Sequence, residues 1–271
     1  MMQSQLFEPT LTKRRDKPVH GSMAAGIAHE EIVLLPCREA LDAIRLVKND
    51  VQTMMLDPWY NKGVGGKRDD YIPWLVTVID ASFEKSQHVF VWGFPEIVYK
   101  VLDYLPKGTE LVAWLTWYYK NCPSVIRGWR SAQYTCLHLA KVGARLYPER
   151  FLNEAQMERL NQGKLRYMPG PPSVIEAPLN IGFVGRKEQT GHPAQKPMAV
   201  FEPLILMTTK PGDVVFDPMC GSGTTGEVCR RLGRKAILCD ESEKYLAITE
   251  KRLGIERSVN HASPKYFFKN S

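Results

Sequence analysis

A strand, a glycine-rich turn and a helix follow one another in the segment 211–233, and this order limits the possible folds most strongly. An apolar run at 214–216 ends at Asp217, and glycines stand at 221, 223 and 226 before residues that favour a helix. Glycines lack the Cβ atoms that would keep a ligand away from the backbone, and the first N–H groups of a helix are free to bind polar ligand atoms. The segment therefore predicts a nucleotide-cofactor site on an α/β sheet.

A second apolar run, at 236–239, ends in an acidic residue, Asp240. It lies about 20 residues beyond the glycines, where a carboxylate accepts hydrogen bonds from both ribose hydroxyls of a nucleotide. The glycine spacing also fits a dinucleotide site, or a turn that only packs. The residues by themselves therefore leave the cofactor open.

Three short phrases narrow the choice of cofactor. Asp217-Pro218 stands at the strand end, Cys-Gly-Ser-Gly-Thr-Thr occupies 220–225, and His-Pro-Ala-Gln-Lys-Pro occupies 192–197. Together they closely resemble the S-adenosylmethionine site of the amino-group DNA methyltransferases, whose phrases run like HPTQKP and DPFxGSGTT, almost without gaps over 191–253. The resemblance implies S-adenosylmethionine as cofactor. The cofactor-binding residues that it implies are His192, Pro193, Gln195, Lys196, Phe216, Asp217, Pro218, Cys220, Gly221, Ser222, Gly223, Thr224, Thr225 and Asp240.

Within that set, the resemblance implies different parts of the cofactor for different residues. Asp240 is expected on the ribose. Asp217, His192 and Lys196 are expected near the methionine end.

A second motif, Asp57-Pro58-Trp59-Tyr60, follows the apolar run at 51–56. An acid at the carboxyl end of a parallel strand projects into the crevice where open α/β sheets bind ligands. The motif resembles the catalytic DPPY or DPPW signature of the same family, with Trp59 in place of the second proline, and the resemblance implies these four residues as catalytic. An exocyclic amine is a poor nucleophile. The Asp57 carboxylate and the Pro58 carbonyl are suited to accept its protons, and Tyr60 can stack on a base extruded from the duplex.

The order of the motifs defines the expected fold class. Only two strands are predicted from 211 onward, so the others come from the N-terminal half, and the run at 31–35 is expected beside the strand that ends at Asp240. The expected fold is α/β, a circularly permuted Rossmann-like methyltransferase sheet of about seven strands with helices on both faces. This order resembles the β group of amino methyltransferases, which implies that the strand at 131–139 runs antiparallel to the others.

One methyltransferase domain with short additions is the expected organisation. Its parts are a flexible leader at 1–28 with a basic cluster at 13–15, a catalytic half at 29–140, a short target-recognition region at 141–186, a cofactor-binding half at 187–256 and a tail at 257–271. The glycine-rich stretch 61–70 is expected to be a mobile loop over the active site. A short recognition region indicates a short or relaxed target, or recognition shared with a partner subunit.

The charge of the chain favours an anionic partner, which the family resemblance implies is double-stranded DNA. The formal net charge of the 271 residues is +7, although a solvated surface explains basic residues equally well. A homodimer is possible. Candidate DNA-contacting residues in the loops and the recognition region are Lys62, Lys67, Arg68, Arg127, Arg130 and Arg166.

Six cysteines occur without a CxxC spacing, and the sequence starts without a signal peptide. These features predict a reducing cytoplasm, in a bacterial, archaeal or phage-infected cell, and neither a metal site nor a disulfide framework. No apolar run approaches the roughly 18 residues of a membrane span. Pro36-Cys37 superficially resembles the carbon-5 cytosine methyltransferases, but the strand before Asp57 takes the catalytic place, and Cys37 is expected to be a core or strand-end thiol.

Asp57 favours one target base within the resembling family, since an acid there usually accompanies adenine N6, whereas serine usually accompanies cytosine N4. We therefore expect a site-specific DNA methyltransferase acting on adenine N6, with cytosine N4 as the alternative. RNA methylation and an inactive nucleic-acid-binding partner subunit are further alternatives. Protein-glutamine methylation fits less well, because those enzymes carry their Asn-Pro-Pro-Tyr motif after the cofactor motif.

Overall fold

A mixed β-sheet with helices on both faces forms the centre of the computed structural model, which describes residues 32–48, 50–61, 66–122, 125–126 and 128–258. The strands of the described residues are β1 (Ile32–Leu34), β2 (Val51–Leu56), β3 (Ser86–Gly93), β4 (Thr109–Tyr118), β5 (Val125–Ile126), β6 (Trp129–Arg130), β7 (Gln133–Lys141), β8 (Val174–Glu176), β9 (Val214–Asp217) and β10 (Lys235–Leu238). The helices are α1 (Ala40–Leu46), α2 (Tyr71–Lys85), α3 (Pro95–Val98), α4 (Glu154–Asn161), α5 (Met198–Thr208), α6 (Thr224–Leu232) and α7 (Glu243–Leu253). Two 3-10 helices cover Tyr99–Tyr104 and Pro148–Phe151.

The main sheet has eight strands in the order β1-β10-β9-β2-β3-β7-β4-β8, and β5 and β6 form a separate hairpin. The predicted pairing of the first strand with the strand before Asp240 is confirmed, because β1 runs parallel to β10. The predicted antiparallel strand is confirmed as β7, which is antiparallel to both β3 and β4. All other pairs in this sheet are parallel.

The predicted number of strands is too low by one. The eighth strand, β8, pairs parallel to β4 and lies within the segment expected to be a separate recognition region. It has three residues at the edge of the sheet with only Ile175 half-buried, so its sequence carries little of the alternating pattern that marks a strand.

Two apolar clusters cover the two faces of the sheet, because successive strand residues point to opposite sides. Met54 and Leu56 pack in one cluster with side chains of α1 and α2, whereas Met55 packs in the other with side chains of α5 and α6. Strands β2 and β3 are buried almost throughout, as expected for parallel strands covered on both faces. The expected helices on both faces are therefore present.

A pair of buried histidines joins β3 to β7. Nδ1 of His88 lies 3.2 Å from Nε2 of His138, and Nε2 of His88 lies 3.1 Å from the carbonyl oxygen of Arg145. Burial lowers the pKa of His88 to about 4 and that of His138 to about 3. Both rings are therefore neutral at pH 7.

Several predicted segments lie outside the described residues: the leader 1–28 with its basic cluster, most of the tail, and residues 62–65 of the predicted loop. The first two residues of the predicted tail pack on the sheet. Arg257 forms an isolated parallel β-bridge with Leu34, and the backbone N–H of Ser258 donates to the Leu34 carbonyl at 2.9 Å. Within the described part of the chain, none of the helices has the length and apolar character that crossing a bilayer requires.

Candidate active site

Two loops that leave neighbouring strands meet at one edge of the sheet. Strand β2 ends just before Asp57, and β9 ends at Asp217. The two strands are parallel, with Thr53 opposite Val215 and Met54 opposite Phe216. Since parallel neighbours present their carboxyl ends at the same edge, the two predicted motifs, far apart along the chain, open into the same space.

A cavity of about 440 Å³ lies between these loops, a size typical of small-molecule sites. Both Tyr60 and Gly221 line it. The other predicted site residues that line it are Asp57, Pro58, Trp59, His192, Pro193, Gln195, Lys196, Asp217, Pro218, Cys220, Ser222, Thr224 and Asp240.

Three predicted cofactor residues do not line the cavity. The Phe216 ring is buried in the core. Gly223 is the N-cap of α6, and the hydroxyl of Thr225 donates to Asp217 Oδ2 at 2.5 Å. These three residues stabilise the strand and the glycine loop without lining the cavity.

Lys196 bonds to the catalytic motif. Its ammonium donates to Asp57 Oδ1 at 2.8 Å, to Asp57 Oδ2 at 2.5 Å and to the Tyr60 hydroxyl at 2.8 Å. These bonds use all three donors of the ammonium group, and the lysine side chain is only 3% exposed. The motif resemblance predicts Lys196 at the methionine end of the cofactor, and in the structure its ammonium group forms an ion pair with Asp57.

Aromatic rings surround this ion pair. Tyr60 stacks on Tyr134 of β7 with centroids 5.0 Å apart, and Phe94 meets Tyr60 edge-on at 4.9 Å. The Lys196 ammonium lies 5.4 Å from the centroids of both tyrosine rings, within the range of a cation–π interaction. Burial raises the pKa of the Tyr60 hydroxyl well above its ordinary value, and the Asp57 charge raises it further. Tyr60 is therefore a neutral phenol that accepts from Lys196.

Trp59 fills the position where the family motif has its second proline. Its ring packs against Trp74 at 4.9 Å and Tyr71 at 5.5 Å, and its carbonyl accepts from the Tyr71 hydroxyl at 2.6 Å. The bulky ring is therefore held against α2, and the motif keeps a fixed turn without the second proline.

Asp217 is the most deeply buried acid of the cavity wall. Its Oδ1 accepts from the backbone N–H of Met219 at 3.1 Å, and its Oδ2 accepts from Thr225. Burial raises its pKa to about 7, although these two hydrogen bonds act in the opposite direction. The carboxyl group is therefore poised to change protonation near neutral pH.

Asp240 braces the glycine loop. Its Oδ2 accepts from the backbone N–H of Gly221 at 2.9 Å, and its Oδ1 accepts from Ser242 at 2.9 Å. Desolvation by burial raises its pKa. Each oxygen keeps a further lone pair, so this bracing is compatible with the predicted contact to a ribose.

His192 packs against the glycine loop at Gly221. Its Nδ1 accepts from the backbone N–H of Ala194 at 3.2 Å, and its ring meets Tyr245 edge-on at 4.2 Å. Burial lowers its pKa to about 4, and the charges of Lys196 and Lys244 lower it further. His192 is therefore neutral at pH 7, with its proton on Nε2.

Arg252 of α7 forms hydrogen bonds with the glycine loop. Its Nη1 donates to the Ser222 carbonyl at 3.2 Å, to Ser222 Oγ at 3.3 Å and to Thr224 Oγ1 at 2.9 Å. Thr224 Oγ1 in turn donates to the Lys196 carbonyl at 3.0 Å. One chain of contacts thus connects α7, the glycine loop and the lysine of the ion pair.

The predicted DNA-contacting residues fall into two groups. Lys67, Arg130 and Arg166 are exposed, whereas Arg68 forms an ion pair with Asp70 and lies over the Trp74 ring. Lys62 and Arg127 lie outside the described residues.

Sequence reasoning missed several residues of the cavity wall. They come from elements that read only as strand, helix or linker in the sequence, and the motifs contain none of them: Glu39, Trp74, Trp117, Tyr134, Leu179, Asn180, Ile181, Glu241 and Tyr245. Strand periodicity places Tyr134 on β7 but says nothing of its contact with Tyr60. No group of three or more His, Cys, Asp or Glu side chains in the described ranges is arranged to hold a metal ion.

Known proteins with similar sequences include type II methyltransferases. A family model for DNA methylases of the N6 and N4 type matches residues 51–251. The type II methyltransferase M.HpaI of Haemophilus parainfluenzae is 29% identical over 240 residues, covering 82% of this chain and 74% of that protein. The type II methyltransferase M2.DpnII of Streptococcus pneumoniae is 51% identical over 69 residues, which is 26% of either protein.

Solved structures share the fold. The complex of M1.HpyAVI with S-adenosylmethionine has a TM-score of 0.62 at 22% identity, over 83% of this chain and 100% of that one. PvuII DNA methyltransferase, specific for cytosine N4, has a TM-score of 0.63 at 16% identity, over 88% and 90%. At these identities the likeness establishes the fold, while the match over 51–251 establishes the family. The chain belongs to the N6/N4 family of DNA methylases.

Proposed function

We propose that this protein methylates adenine N6 in double-stranded DNA, with S-adenosylmethionine as the methyl donor. The observation that carries the proposal is the shared cavity, which brings Asp57 and Tyr60 from β2 together with the glycine loop after β9. Asp57 favours adenine over cytosine, because the family usually has serine there in the N4 enzymes.

The cavity fits the cofactor in space and in charge. Asp217, Asp240 and Glu241 line it, and such carboxylates suit a ligand that carries a sulfonium and an ammonium group. Gly221 has φ +53°, and a Cβ built on it would crowd His192 Nε2 at 3.1 Å, so glycine suits this position, where the loop presents bare backbone to a ligand. Asp240 and Glu241 would hold the ribose, and Asp217 with His192 would face the methionine end.

When bound, S-adenosylmethionine supplies an electrophilic methyl group on its sulfonium sulfur. Asp57 and the Pro58 carbonyl would accept the protons of the target amine and direct the nitrogen lone pair toward that methyl group. Lys196 uses about one lone pair on each Asp57 oxygen, and a carboxylate has roughly four such sites, so acceptors remain for the amine. Asp57, already hydrogen-bonded to the amine, would take up the proton that the nitrogen loses once it carries the methyl group.

The Tyr60 and Tyr134 rings would hold the extruded base, which leaves the duplex because its amine is out of reach inside the stack. Stacking of a base on an aromatic ring contributes about 1–3 kcal/mol. That is comparable to the few kcal/mol that extrusion costs. The exposed Lys67, Arg130 and Arg166 would contact phosphates.

The test is base-resolved sequencing of DNA from cells that express the protein, with a method that separates N6-methyladenine from N4-methylcytosine. N6-methyladenine at one recurring sequence, lost in the Asp57→Ala variant, is the expected result. N4-methylcytosine in its place would overturn the choice of base. Unmodified DNA, together with labelled RNA after incubation with tritiated S-adenosylmethionine, would overturn the choice of substrate. Tritium in no polymer would indicate an inactive partner subunit.

We also propose a homodimer acting in the cytoplasm. A single recognition region of about 50 residues, shorter than a typical domain, favours the use of two copies on one target. All six cysteines are free, which suits a reducing compartment. Sedimentation of the purified protein with and without duplex DNA tests the dimer, and a single monomeric species in both cases would overturn it.

A further inference from the structure

A turn at residues 181–188 presents an exposed phenylalanine beside the active-site cavity. Phe183 is 86% exposed, and Ile181, two residues earlier, lines the cavity. Single exposed apolar residues are common on protein surfaces. The surroundings of Phe183 therefore decide what it signifies.

Hydrogen bonds among its own residues and to Gln189 stabilise the turn that carries Phe183. The N–H of Val184 donates to the Ile181 carbonyl at 3.0 Å. The Gln189 side-chain amide donates to the carbonyls of Gly182 at 3.1 Å and Val184 at 2.7 Å. These bonds fix the backbone on both sides of residue 183. An exposed ring on a fixed turn loses little conformational entropy when it makes a contact.

The same turn is fastened to the cavity wall. Gly185 has φ +65°, and a Cβ built on it would lie 2.0 Å from Asn180 Oδ1, so only glycine fits there. The Glu188 carboxylate accepts from Asn180 at 3.3 Å and from the first N–H of α5, at Met198, at 3.1 Å. The turn therefore keeps a fixed position relative to Asn180, which lines the cavity.

The direction of the strands places the turn at the edge of the sheet where Asp57 lies. Strand β8 is parallel to β4, and β4 has the same direction as β2, since β7 is antiparallel to both β3 and β4 and β3 is parallel to β2. Residues after β8 thus leave the sheet at the edge where Asp57 lies. The turn also carries two basic residues. The guanidinium carbon of Arg186 lies 5.1 Å from the Phe183 ring centroid, and Lys187 is exposed.

We propose that Phe183 is a wedge that enters the DNA base stack beside the extruded base, while Arg186 and Lys187 contact the flanking phosphates. The inference rests on the proposed function. Extrusion leaves a gap in the duplex, and apolar side chains that enter base steps stabilise such a distorted stack. A rigid aromatic ring with adjacent cations, next to the cavity that receives the base, has the chemistry for this contact. Phe183 would thus lower the cost of extrusion without touching the reacting atoms.

The test compares Phe183→Ala with wild type on two duplexes that contain the methylated sequence found by sequencing. One duplex is fully paired, and the other has an abasic site opposite the target base, so extrusion no longer breaks a base pair. We expect kcat/KM on the paired duplex to fall about 10- to 100-fold, as for the loss of one stacking contact. On the abasic duplex the loss should shrink to about threefold or less, because the weakened site needs little help. Phe183→Leu should recover most of the activity, since leucine also serves as a wedge.

Tyr104→Ala is the matched control. Tyr104 is 61% exposed and precedes β4, at the sheet edge opposite Asp57, so its loss should leave both duplexes unaffected. A second readout replaces the target adenine by 2-aminopurine, whose fluorescence rises on extrusion. Phe183→Ala should show a smaller rise than wild type at saturating DNA, with unchanged affinity for S-adenosylmethionine.

Three outcomes would overturn the wedge. Phe183→Ala could retain wild-type kcat/KM on the paired duplex, lose activity equally on both duplexes, or give the full fluorescence rise. If the surface binds another protein instead, the first of these is expected. A wild-type protein that methylates no DNA would overturn the proposed function itself, and the wedge with it.

Discussion

The ammonium of Lys196 lies 2.5 Å from Asp57 Oδ2, across 139 positions of the sequence. The lysine belongs to the segment before α5, and the aspartate follows β2. Both charges are largely removed from water, with side chains 3% and 17% exposed. The pair therefore links the cofactor half of the chain to the catalytic motif, and its effects on catalysis and on stability can be measured separately.

Removal of either partner should have different consequences from removal of both. Asp57→Ala should lower the rate of methyl transfer by about 100-fold or more, because the acceptor of the amine protons is lost. It should also destabilise the fold by about 3–5 kcal/mol, because it leaves a buried ammonium group without its counter-ion. The double variant Asp57→Ala with Lys196→Met should recover much of the stability and none of the activity.

Urea unfolding and tritiated methyl transfer measure these two effects. Lys120→Met is the control, since Lys120 pairs with Glu176 on the surface, with side chains 65% and 60% exposed. Its loss should leave the stability nearly unchanged, because water and salt screen an exposed ion pair. A double variant as unstable as Asp57→Ala would contradict the coupling.

Asp217 should make cofactor binding depend on pH. Its pKa of about 7 lies above the ordinary value of about 3.9, so the folded protein holds this proton more tightly than the unfolded chain does. A cationic ligand favours the ionised carboxylate, so S-adenosylmethionine should displace the proton below pH 7. Affinity should fall by up to about tenfold for each pH unit below 7.

Calorimetry in buffers of different ionisation enthalpy detects the released proton directly. Asp217→Asn should weaken binding at pH 8 and remove most of the pH dependence of binding between about pH 5.5 and 7. Asp103→Asn, at an exposed position of the 3-10 helix Tyr99–Tyr104, is the control and should bind as wild type does. Equal proton release from Asp217→Asn and wild type would assign the titration to another group.

Arg252 should act as a positioning residue for the glycine loop. Arg252→Ala removes the contacts that Nη1 makes with residues 222 and 224 through its two N–H donors, and a bond from a charged group contributes about 1.5–3 kcal/mol before the loop relaxes. We expect the KM for S-adenosylmethionine to rise about tenfold or more, with the KM for DNA little changed. Lys251→Ala, one position earlier and exposed, should leave both constants as they are. Equal rises in the two KM values would point to general unfolding instead of a displaced loop.

The buried histidines should make the fold sensitive to acid. Their folded pKa values of about 4 and about 3 lie below the ordinary value of about 6.5, so the unfolded chain binds protons more readily. The stability that they contribute is complete above pH 6.5 and is lost as the pH falls toward 4. Each histidine changes the free energy of unfolding by at most about 1.4 kcal/mol per pH unit.

Urea titrations between pH 7.5 and 4.5 measure this slope. The double variant His88→Gln with His138→Gln should be less stable at pH 7.5 and should lose less stability than wild type on acidification. His192, whose lowered pKa acts in the same pH range, is present in both proteins, so the difference isolates the pair. Parallel curves would exclude the histidines as the cause.

The sequence predicts those parts of the site that local chemistry dictates. The loop at 220–225 and the motif at 57–60 need glycine, proline and acid at fixed spacing, so their residue types alone indicate their place at strand ends. The partner of Lys196 depends instead on how distant segments pack. Its motif neighbours predict a cofactor contact, and only the packing of α5 against the sheet brings the ammonium to Asp57.

The same limit applies to β8 and Tyr134. A three-residue edge strand needs only a free strand edge to pair with, and that edge, on β4, is not encoded in residues 174–176. Tyr134 is predicted on a strand, but its stacking on Tyr60 follows from the antiparallel insertion of β7 between β3 and β4. Tertiary arrangement, not local preference, supplies these parts of the site.

Thr53 of β2 lies opposite Val215 of β9. Because the two strands are far apart in the sequence, this pairing sets the stage of translation at which the active site can form. A ribosome releases Asp57 before β9 and β10, which follow much later in the sequence. Nascent chains fold progressively from the N-terminus, and contacts between distant segments form last. The centre of the sheet therefore closes only after β9 has been synthesised, and a nascent polypeptide that has reached residue 200 still lacks this strand and the glycine loop that follows it.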